Sequence, residues 1–366
     1  MKRKIYIIDL AERSPAYNKE LHKALKENGS SAEYVDSTFK SNMWGYVKYF
    51  PQKKGLLFKH FKFINLLLNH LFFYRSILKS KHLTTLHFQW LPLFDKTSLE
   101  LFILKRLKKR GHKLVLTIHN VLPHDSNLTF KSRFKKLYNV MDKIIVHSEN
   151  IRCELINDYS IAESNIEVVR HGSLLFNPEE YSEENNEFSY ALFFGLIRPY
   201  KGVDFLLSAW KEVNRVNPNL RLKIIGKCPD SYEEVVLSHI HDDMNVEYKN
   251  IYADVSELKK YIKGASLLIF PYRAITTSGA VITGLSAGKA AILTDLPTFK
   301  SEFSESCEFV QYGNSSELST AILGVSQDSE KRKVMISNSL ELMKEKYNWS
   351  GISLDTMEIY KSLNNG

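Results

Sequence analysis

Two cations in one loop are the residues of this sequence best suited to binding a phosphate. Arg198 and Lys201 follow Gly195 between a short apolar run and a helical pattern that begins at Val203. A guanidinium and an ammonium beside a helix N-terminus both bind phosphate oxygens. The loop is therefore a candidate anion site, although its spacing fits a solvated loop with two surface cations equally well.

A second loop, rich in hydroxyl side chains, follows another apolar run. Thr276, Thr277 and Ser278 come after Tyr272 and precede Gly279, where a helical pattern of small residues begins. The hydroxyls can cap that helix and, with its free N–H groups, hold a second anion or a phosphate-linked sugar. A capped core helix without a ligand is the alternative. Two such loops at the carboxyl edge of one sheet favour a shared site.

A histidine in the first half of the chain is suited to proton transfer. His119 directly follows the apolar run of residues 113–118 and so lies at the end of a predicted strand. Its imidazole titrates near neutral pH and can take a proton from a hydroxyl, although a lone histidine is more often structural. Asp125 is a second candidate, as a general base, and an Asp in this context is also typical of a helix cap.

Short apolar runs alternate with helical patterns along the chain, which predicts parallel sheets covered by helices. We expect an α/β protein of two doubly wound, Rossmann-like domains that face each other across a cleft, with ligands at the loops that follow strands. The predicted domains are residues 1–176 and 188–345, joined by a polar linker at 177–187, with a helix in 346–366 that crosses back to the first domain. The predicted strands are Lys4–Leu10, Thr84–Phe88, Lys113–Ile118, Lys143–His147, Ile166–Arg170, Ser189–Gly195, Leu220–Ile225, Val246–Lys249, Ser266–Phe270, Ala290–Thr294 and Cys307–Val310.

Composition indicates the class of protein and the cellular compartment in which we expect it. The chain has 366 residues, of which 44% are hydrophobic and 25% charged, as in ordinary globular proteins. Its three cysteines are widely spaced and predict neither a disulfide framework nor a metal clip, which favours a reducing compartment. The N-terminus does not have the pattern of a signal peptide, and polar residues interrupt the apolar stretch 61–74. We therefore expect a cytoplasmic protein.

Positive charge is concentrated in the first half of the chain. Residues 1–180 carry 30 Lys and Arg against 17 Asp and Glu, whereas the rest carry 20 against 24. Basic residues mixed with Leu and Phe over 53–79, and basic runs at 105–110 and 131–136, are typical of a surface that binds an anionic membrane. Each segment alone also fits a core helix with a solvated basic face. We expect peripheral attachment to the inner face of the cytoplasmic membrane and no nucleic-acid partner, because no RNA-binding motif occurs.

The order and spacing of several motifs resemble those of the group 1 glycosyltransferases, which have the GT-B fold. The resemblance implies a UDP- or GDP-linked sugar as donor, with its diphosphate held by Arg198 and Lys201 and with Gly226 in the same site. Cations would replace a metal ion, since no D-x-D sequence follows a strand, so we expect neither a metal nor another cofactor. The motifs that carry the resemblance are Phe194–Gly202, Ile224–Gly226, Phe270–Tyr272, Ser278-Gly279 and Ala287–Ala290.

The sequence departs from the family at two positions. Many members carry two glutamates, one near the donor sugar and one on the ribose, where this chain has Ile275 and Thr283. Donor-sugar contacts must then differ, and Thr276, Thr277 and Ser278 are the candidates. Both retaining and inverting outcomes stay open.

The resemblance is weaker in the first half, where it concerns the acceptor. His119 belongs to a segment like the T-x-H-N sequence of the family. Arg13 and Tyr17, in the loop after the first strand, are expected to face the acceptor, and His171 and Gly172 to line the cleft. Ordinary surface polarity explains the first two equally well.

We therefore expect a glycosyltransferase that moves a sugar to a lipid-linked or saccharide acceptor in capsule, exopolysaccharide or lipopolysaccharide assembly. A nucleotide-sugar 2-epimerase of the same fold is one alternative, and a non-catalytic protein that binds membrane or nucleic acid is another. An epimerase would use more carboxylates in the cleft and would turn over UDP-sugar without an acceptor.

Overall fold

The chain folds into two compact units. The computed structural model describes residues 3–41, 44–48, 58–94, 99–119, 128–181, 188–275 and 277–364. The first unit consists of Met1–Arg170 together with Trp349–Gly366, and the second of His171–Asn348. The first unit therefore ends at Arg170, before the predicted boundary at residue 176, and the chain returns to it at Trp349.

A parallel sheet of six strands forms the centre of the first unit. Its strand order is β2-β1-β3-β4-β5-β6, so the order reverses between β1 and β3, where ligands bind in sheets of this kind. The central strands are buried almost throughout because helices cover both faces. The strands are β1 (Lys4–Ile8), β2 (Glu33–Val35), β3 (Thr84–Phe88), β4 (Lys113–Ile118), β5 (Lys143–Val146) and β6 (Ile166–Val168).

Helices connect these strands, and the last helix of the chain packs on the first. The C-terminal helix contacts the N-terminal helix through Asn28, whose Nδ2 donates to Ser353 Oγ at 2.6 Å. It also places the Tyr360 hydroxyl 2.6 Å from Nδ1 of His87 inside the unit. The helices are α1 (Pro15–Glu27), α2 (Phe58–Lys79), α3 (Leu99–Lys109), α4 (Leu128–Tyr138), α5 (Glu149–Tyr159) and α13 (Trp349–Ser362).

Helix α2 differs from the membrane-surface helix expected over residues 53–79. Its buried side includes Phe73, Tyr74 and Ile77, which belong to the core of the first unit. The Tyr74 hydroxyl donates to Glu100 of α3 at 2.7 Å, and this bond joins the two helices. The apolar side of α2 therefore faces protein, and the expectation that it faces a bilayer was wrong for these three residues. Residues 53–57 lie outside the described residues.

Within the described ranges, the structure has no helix with both the length and the apolar character of a membrane span.

A second parallel sheet of six strands forms the centre of the second unit. Its order is β12-β11-β10-β7-β8-β9, so the order reverses between β7 and β10. The strands are β7 (Ala191–Phe194), β8 (Leu222–Ile225), β9 (Val246–Lys249), β10 (Leu267–Phe270), β11 (Ala290–Thr294) and β12 (Glu308–Val310). The helices are α6 (Val203–Val216), α7 (Asp230–Leu237), α8 (Val255–Gly264), α9 (Gly279–Ser286), α10 (Pro297–Phe303), α11 (Ser315–Gln327) and α12 (Ser329–Lys346).

The predicted α/β class with two doubly wound sheets is confirmed. The four strands β3, β4, β9 and β11 have the predicted bounds, and the other predicted strands are shorter by one or two residues at an end. Strand β2 was missed because it has only three residues, Glu33–Val35, and lies at the edge of its sheet beside β1. Short edge strands carry little apolar signal.

The bond between Tyr360 and His87 allows a test of how α13 is held. Both residues are buried, so Tyr360→Phe leaves Nδ1 of His87 without its partner. We expect the variant to lose about 1–3 kcal/mol of unfolding free energy in urea denaturation followed by circular dichroism. Tyr252→Phe is the control, because Tyr252 is 76% exposed and should change stability by less than about 0.5 kcal/mol. Equal stabilities for the two variants would contradict this account.

Candidate functional site

Two loops of the second unit flank the point where its strand order reverses. Residues 195–202 follow β7, and residues 271–278 follow β10. We call these two segments the donor loops, after the role that the sequence predicts for them. Each leads into a helix, α6 and α9 respectively, so two helix N-termini lie at the same edge of the sheet. Backbone N–H groups at helix N-termini favour anions.

The loops after β7, β8 and β10 approach one another so closely that two positions require glycine. A Cβ on Gly202 would lie 1.9 Å from the carbonyl oxygen of Pro271, and the φ angle of Gly202 is +67°. A Cβ on Gly226, after β8, would lie 1.7 Å from the carbonyl oxygen of Gly195. The backbone N–H of Arg273 donates to the carbonyl of Tyr200 at 2.8 Å. Because any side chain would clash, the loops hold one arrangement.

Lys201 is a buried cation that lies over two aromatic rings. Its Nζ lies 3.7 Å from the centre of the Tyr272 ring and 5.5 Å from that of Tyr200. Among the described residues, no carboxylate lies within 4.0 Å of Nζ. Burial lowers the pKa of Lys201 to about 7, since the ammonium is desolvated. Two aromatic faces stabilise the charge, and an anionic ligand would stabilise it further.

Arg198 lies at the half-buried start of the same turn. Its Nη1 donates to the carbonyl of Ile197 at 2.9 Å and is 3.5 Å from that of Lys227. Within the described part of the chain these contacts involve only Nη1, so the other N–H groups of the guanidinium remain for a ligand. The backbone contacts also restrict the side chain before any ligand binds.

The second donor loop ends at the N-cap of α9. Ser278 Oγ accepts a hydrogen bond from the backbone N–H of Val281 at 3.3 Å and lies 3.4 Å from the Tyr272 hydroxyl. Tyr272 is fully buried and so contacts Lys201 on one side and Ser278 on the other. The ring therefore fixes the distance between the cation of one loop and the helix N-terminus of the other.

The other predicted residues of this region fall into different environments. Thr277 is half-buried beside Ser278, and Thr283 is buried in α9. Thr276 lies outside the described residues. Gly279 starts α9, and a Cβ there would lie 3.8 Å from Cε1 of His171.

His171 belongs to the second unit, although we predicted residues 1–176 as the first domain. Its Nδ1 lies 2.9 Å from the carbonyl oxygen of Gly172, and its ring lies beside the start of α9. Burial lowers the pKa of His171 to about 4, so the ring is neutral at pH 7. His171, followed by Gly172, therefore lies beside the second donor loop, because the chain leaves the first sheet at β6.

His119 is held between two other side chains of the first unit. Its Nδ1 lies 3.3 Å from Nε2 of His147, and its Nε2 lies 3.2 Å from Oε1 of Gln89. Nδ1 of His147 lies 2.8 Å from the carbonyl oxygen of Val169. Trp90 stacks on the His119 ring at a centroid distance of 5.2 Å. These contacts fix both the position and the plane of the imidazole.

The hydrogen bonds of this pair define where protons lie. A carbonyl only accepts, so Nδ1 of His147 carries a proton and its Nε2 accepts from Nδ1 of His119. Nε2 of His119 then faces the amide of Gln89. If the amide oxygen faces Nε2 of His119, that nitrogen must donate, so the pair holds one proton more than two neutral rings. If the amide is turned over, its nitrogen donates to Nε2 and both rings are neutral. Turning the amide also brings its oxygen to Nε2 of His87, which lies 3.1 Å from the amide nitrogen. The pair can therefore gain a proton without losing a hydrogen bond when His87 moves its own proton between Nδ1 and Nε2.

Arg13 and Tyr17 differ in exposure. The Arg13 side chain is exposed, with its guanidinium carbon 5.3 Å from the centre of the Trp90 ring. Tyr17 lies in α1 and not in the preceding loop, because the helix already starts at Pro15. Its ring is buried and makes edge contacts to His119 and Trp349 at 5.3 and 5.2 Å. Tyr17 therefore supports the imidazole from inside. Asp125 lies outside the described residues.

Several residues that organise the two sites were missed in the sequence. Gln89 and Trp90 follow β3 directly, at the same sheet edge as His119, and this position was the signal for them. Asp9 follows β1 and accepts hydrogen bonds from the backbone N–H groups of Arg13 and Ser14 at 3.2 and 3.1 Å. It thus shapes the loop that carries Arg13.

One ion pair of the second unit was also missed. Arg273 of the second donor loop forms it with Asp204 in the first turn of α6. Asp204 also accepts a hydrogen bond from the Tyr232 hydroxyl at 2.9 Å. The ion pair joins the second donor loop to the helix that follows the first, beside the backbone bond from Arg273 to Tyr200 that joins the two loops.

Two parallel α/β units, with basic and hydroxyl-bearing loops at a sheet reversal, define the class of GT-B glycosyltransferases. Two family models match the chain: "Glycosyl transferases group 1" over residues 189–328 and "Glycosyltransferase Family 4" over residues 16–173. Together they span most of the sequence. The chain belongs to the group 1 glycosyltransferases, as its motifs predicted.

Curated relatives share this family at low identity. The GDP-mannose:glycolipid 4-beta-D-mannosyltransferase of Xanthomonas campestris pv. campestris is 24% identical over 191 residues, which is 52% of each chain. The match thus spans about half the length of that relative. An uncharacterised glycosyltransferase of Methanocaldococcus jannaschii is 23% identical over 256 residues, 68% of each chain.

Solved structures share the fold over the whole chain. Sucrose-phosphate synthase from Thermosynechococcus elongatus has a TM-score of 0.75 at 15% identity and covers 100% of both chains. HepE from Anabaena, solved in complex with UDP, has a TM-score of 0.69 at 15% identity and covers 99% of this chain and 100% of its own.

The lowered pKa of Lys201 predicts how stability changes with pH. The unfolded chain binds a proton at this lysine up to pH 10.5, whereas the folded protein releases it near pH 7. The cost of burying the charge is therefore complete below pH 7 and decreases as the pH rises from 7 to 10. We expect Lys201→Met to gain stability over the wild type at pH 6.5, and this gain to shrink by at most about 1.4 kcal/mol per pH unit above pH 7.

Chemical denaturation at pH 6.5, 7.5 and 8.5 measures that difference. Lys211→Met is the control, since Lys211 is exposed on α6 and its replacement should shift stability equally at every pH. A pH-independent difference between Lys201→Met and the wild type would show that Lys201 is not a desolvated cation.

Proposed function

We propose that this protein transfers a hexose from a UDP- or GDP-linked sugar to a lipid-linked acceptor in the assembly of a bacterial surface polysaccharide. The observation that carries the proposal is the buried ammonium of Lys201, which lies over Tyr272 without a carboxylate partner among the described residues. A diphosphate supplies the missing negative charge. The glycolipid mannosyltransferase among the relatives supports both the donor class and the acceptor class.

In this proposal the donor loops stabilise the leaving group. Arg198 and Lys201 bind the diphosphate oxygens, and the N-terminus of α9 at Ser278 and Gly279 binds a phosphate or the sugar beside them. As the bond between the anomeric carbon and the diphosphate oxygen breaks, negative charge grows on the diphosphate. Cations fixed by the close contact of the two loops need no reorganisation to meet that charge.

The proton of the acceptor hydroxyl goes to the pair of His119 and His147. The hydroxyl oxygen forms the new bond to the anomeric carbon, and its proton moves to the imidazole pair in the state in which the Gln89 amide is turned over and both rings are neutral. The amide then turns its oxygen to His119, and His87 moves its proton from Nε2 to Nδ1 to accept from the amide nitrogen. The acceptor is held by the first unit and the donor by the second.

A thermal-shift experiment tests the donor site. UDP, GDP and their sugars should raise the melting temperature of the wild type, because a ligand that binds only the folded state stabilises it by mass action. Arg198→Ala and Lys201→Ala should each reduce the affinity by about tenfold or more, since each removes a charged contact to the diphosphate. Arg221→Ala is the matched control, as Arg221 is exposed outside the donor loops.

Three results would decide against the proposal. Absence of any shift with every nucleotide would exclude a nucleotide-sugar donor. Unchanged shifts in both variants would remove Arg198 and Lys201 from the site. Turnover of a UDP-sugar without acceptor would instead identify a nucleotide-sugar 2-epimerase.

The acceptor class leads us to propose that the first unit binds an anionic membrane. The outer side of α3 carries an exposed stripe, which we define as Leu99, Phe102, Lys105, Arg106 and Lys109. Phe102 is 63% exposed, which is high for a large apolar side chain. Apolar and basic residues on one helix face suit the boundary between headgroups and acyl chains of anionic lipids.

Vesicle sedimentation tests this surface. The wild type should bind vesicles that contain phosphatidylglycerol, and binding should weaken as salt is raised. Phe102→Ala with Arg106→Glu should reduce the bound fraction by about fivefold or more, because one apolar and one basic contact are lost. Val334→Ala, an exposed apolar position of α12 in the second unit, is the control. Binding that ignores lipid charge, or that the double variant retains in full, would exclude the stripe.

A further inference from the structure

His87 of β3 is a buried imidazole with a polar partner at each nitrogen. Its Nδ1 lies 2.6 Å from the Tyr360 hydroxyl of α13, and its Nε2 lies 3.1 Å from the amide nitrogen of Gln89. The Thr117 hydroxyl of β4 lies 2.7 Å from the same Nε2. The amide oxygen of Gln89 lies 3.2 Å from Nε2 of His119. A continuous hydrogen-bond network therefore runs from α13 to His119.

Burial keeps the His87 ring neutral. It lowers the pKa of His87 to about 3, so at neutral pH the ring carries one proton, on either Nδ1 or Nε2. A hydroxyl can donate or accept, so Tyr360 is a suitable partner for Nδ1 in both cases. The position of the proton is therefore decided at Nε2, by the group that Gln89 turns towards it.

The Gln89 amide allows two arrangements of the network. In the first, its oxygen accepts from His119 and its nitrogen donates to Nε2 of His87, whose proton is then on Nδ1. In the second, the amide is turned over, so Nε2 of His87 carries the proton and donates to the amide oxygen. Gln89 lines a cavity of about 270 Å³ beside Trp90, which leaves room for the amide to turn. His119 and His147, which we call the histidine pair, hold an extra proton only in the first arrangement.

We infer that His87 and Tyr360 are positioning residues that set, through the orientation of the Gln89 amide, how readily the histidine pair takes a proton. The inference rests on the proposed function, which it deepens by adding residues that control the proposed proton acceptor. Both residues act through Gln89. The C-terminal helix α13 thus contributes to the chemistry of the first unit as well as to its packing.

Titratable and charged side chains face the network from α1, from the loop before it and from α13. The Tyr17 ring centre lies 5.3 and 5.5 Å from the ring centres of the histidine pair. Burial raises the pKa of Tyr17 and of Tyr360, so both phenols stay neutral while the pair titrates. The guanidinium of Arg13, which lies over Trp90, stays charged throughout. These groups therefore give a constant background to the titration.

Nitrogen-15 NMR of the labelled 366-residue protein tests the coupling, because the chemical shifts of Nδ1 and Nε2 show which nitrogen carries a proton. Comparison with His87→Gln and His119→Gln assigns the signals. We expect the proton of His87 to lie on Nε2 above the titration midpoint of the histidine pair and on Nδ1 below it. A proton of His87 that keeps one position while the pair titrates would overturn the inference.

Tyr360→Phe should lower the titration midpoint of the histidine pair. The two rings meet edge-on, and the positive edge of a phenyl ring tolerates a bare Nδ1 on His87 but disfavours an N–H there. The variant thus favours the turned amide, with which the pair is neutral. We expect the midpoint to fall by about one pH unit, which is a tenfold loss of proton affinity.

Thr117→Val is the matched control for this shift. It removes the other hydroxyl from the same ring, but Nε2 of His87 keeps Gln89 as its partner in both arrangements. The midpoint should therefore change by less than about 0.3 pH unit.

Gln89→Glu removes the coupling. A carboxylate only accepts, so Nε2 of His87 and Nε2 of His119 must both donate to it, and its charge should raise the midpoint by about one pH unit or more. His87 then keeps its proton on Nε2 in both protonation states of the pair. Adding Tyr360→Phe to this variant should leave the midpoint unchanged. Circular dichroism verifies folding, and the wild-type NMR titration decides if a variant misfolds.

Three results with the variants would overturn the inference. They are an unchanged midpoint in folded Tyr360→Phe, an equal fall in Thr117→Val, and the same fall when Tyr360→Phe is added to Gln89→Glu. If the midpoint falls as expected but the pH dependence of sugar transfer does not move, the coupling stands and the proposed proton acceptor is wrong. If no nucleotide binds, the proposed donor site fails, and the NMR titration still decides the coupling.

Discussion

The arrangement of the donor loops in the second unit depends on one interaction, a buried ammonium that lies over a buried phenol ring. Lys201 lies over Tyr272, and Tyr272 in turn contacts the cap of α9 at Ser278. Without a carboxylate within reach among the described residues, the cation is only partly compensated, and its pKa falls to about 7. The protein thus maintains an unfavourable charge at a sheet edge. In the proposed function an anionic diphosphate relieves that charge, so binding energy and charge stabilisation come from the same residue.

Glycine makes that arrangement rigid. Backbone contact at Gly202 and at Gly226 leaves no room for a side chain, so the loops from β7, β8 and β10 touch directly. The ion pair between Arg273 and Asp204 adds a side-chain link between the second donor loop and α6. The first unit positions its imidazole by other means. His119 is held by His147, Gln89 and the flat face of Trp90, and all of these follow strands of one sheet.

Much of the fold could be predicted, and less of the site. Apolar runs predicted the strands because a parallel strand covered on both faces is largely apolar, as in β10, where all four residues are apolar and buried. The basic residues Arg198 and Lys201 were found from their place after β7. Tyr17 was expected in the loop before the first helix, but α1 already begins at Pro15. His171 was expected in the first domain, but it belongs to the second unit. Gln89 and Trp90 were overlooked because a single amide or indole after a strand has no distinctive spacing.

The sequence by itself determined the α/β class, the two sheets, the family and the loops that carry cations. Periodicity and composition are local properties of the chain, so they can be recognised without knowing which residues pack together in the fold. Only the tertiary structure decided that Lys201 is desolvated over Tyr272, that His119 and His147 share hydrogen bonds, and that a cavity opens beside Trp90. Desolvation, proton sharing and empty volume all depend on residues far apart in the chain, so no local pattern encodes them.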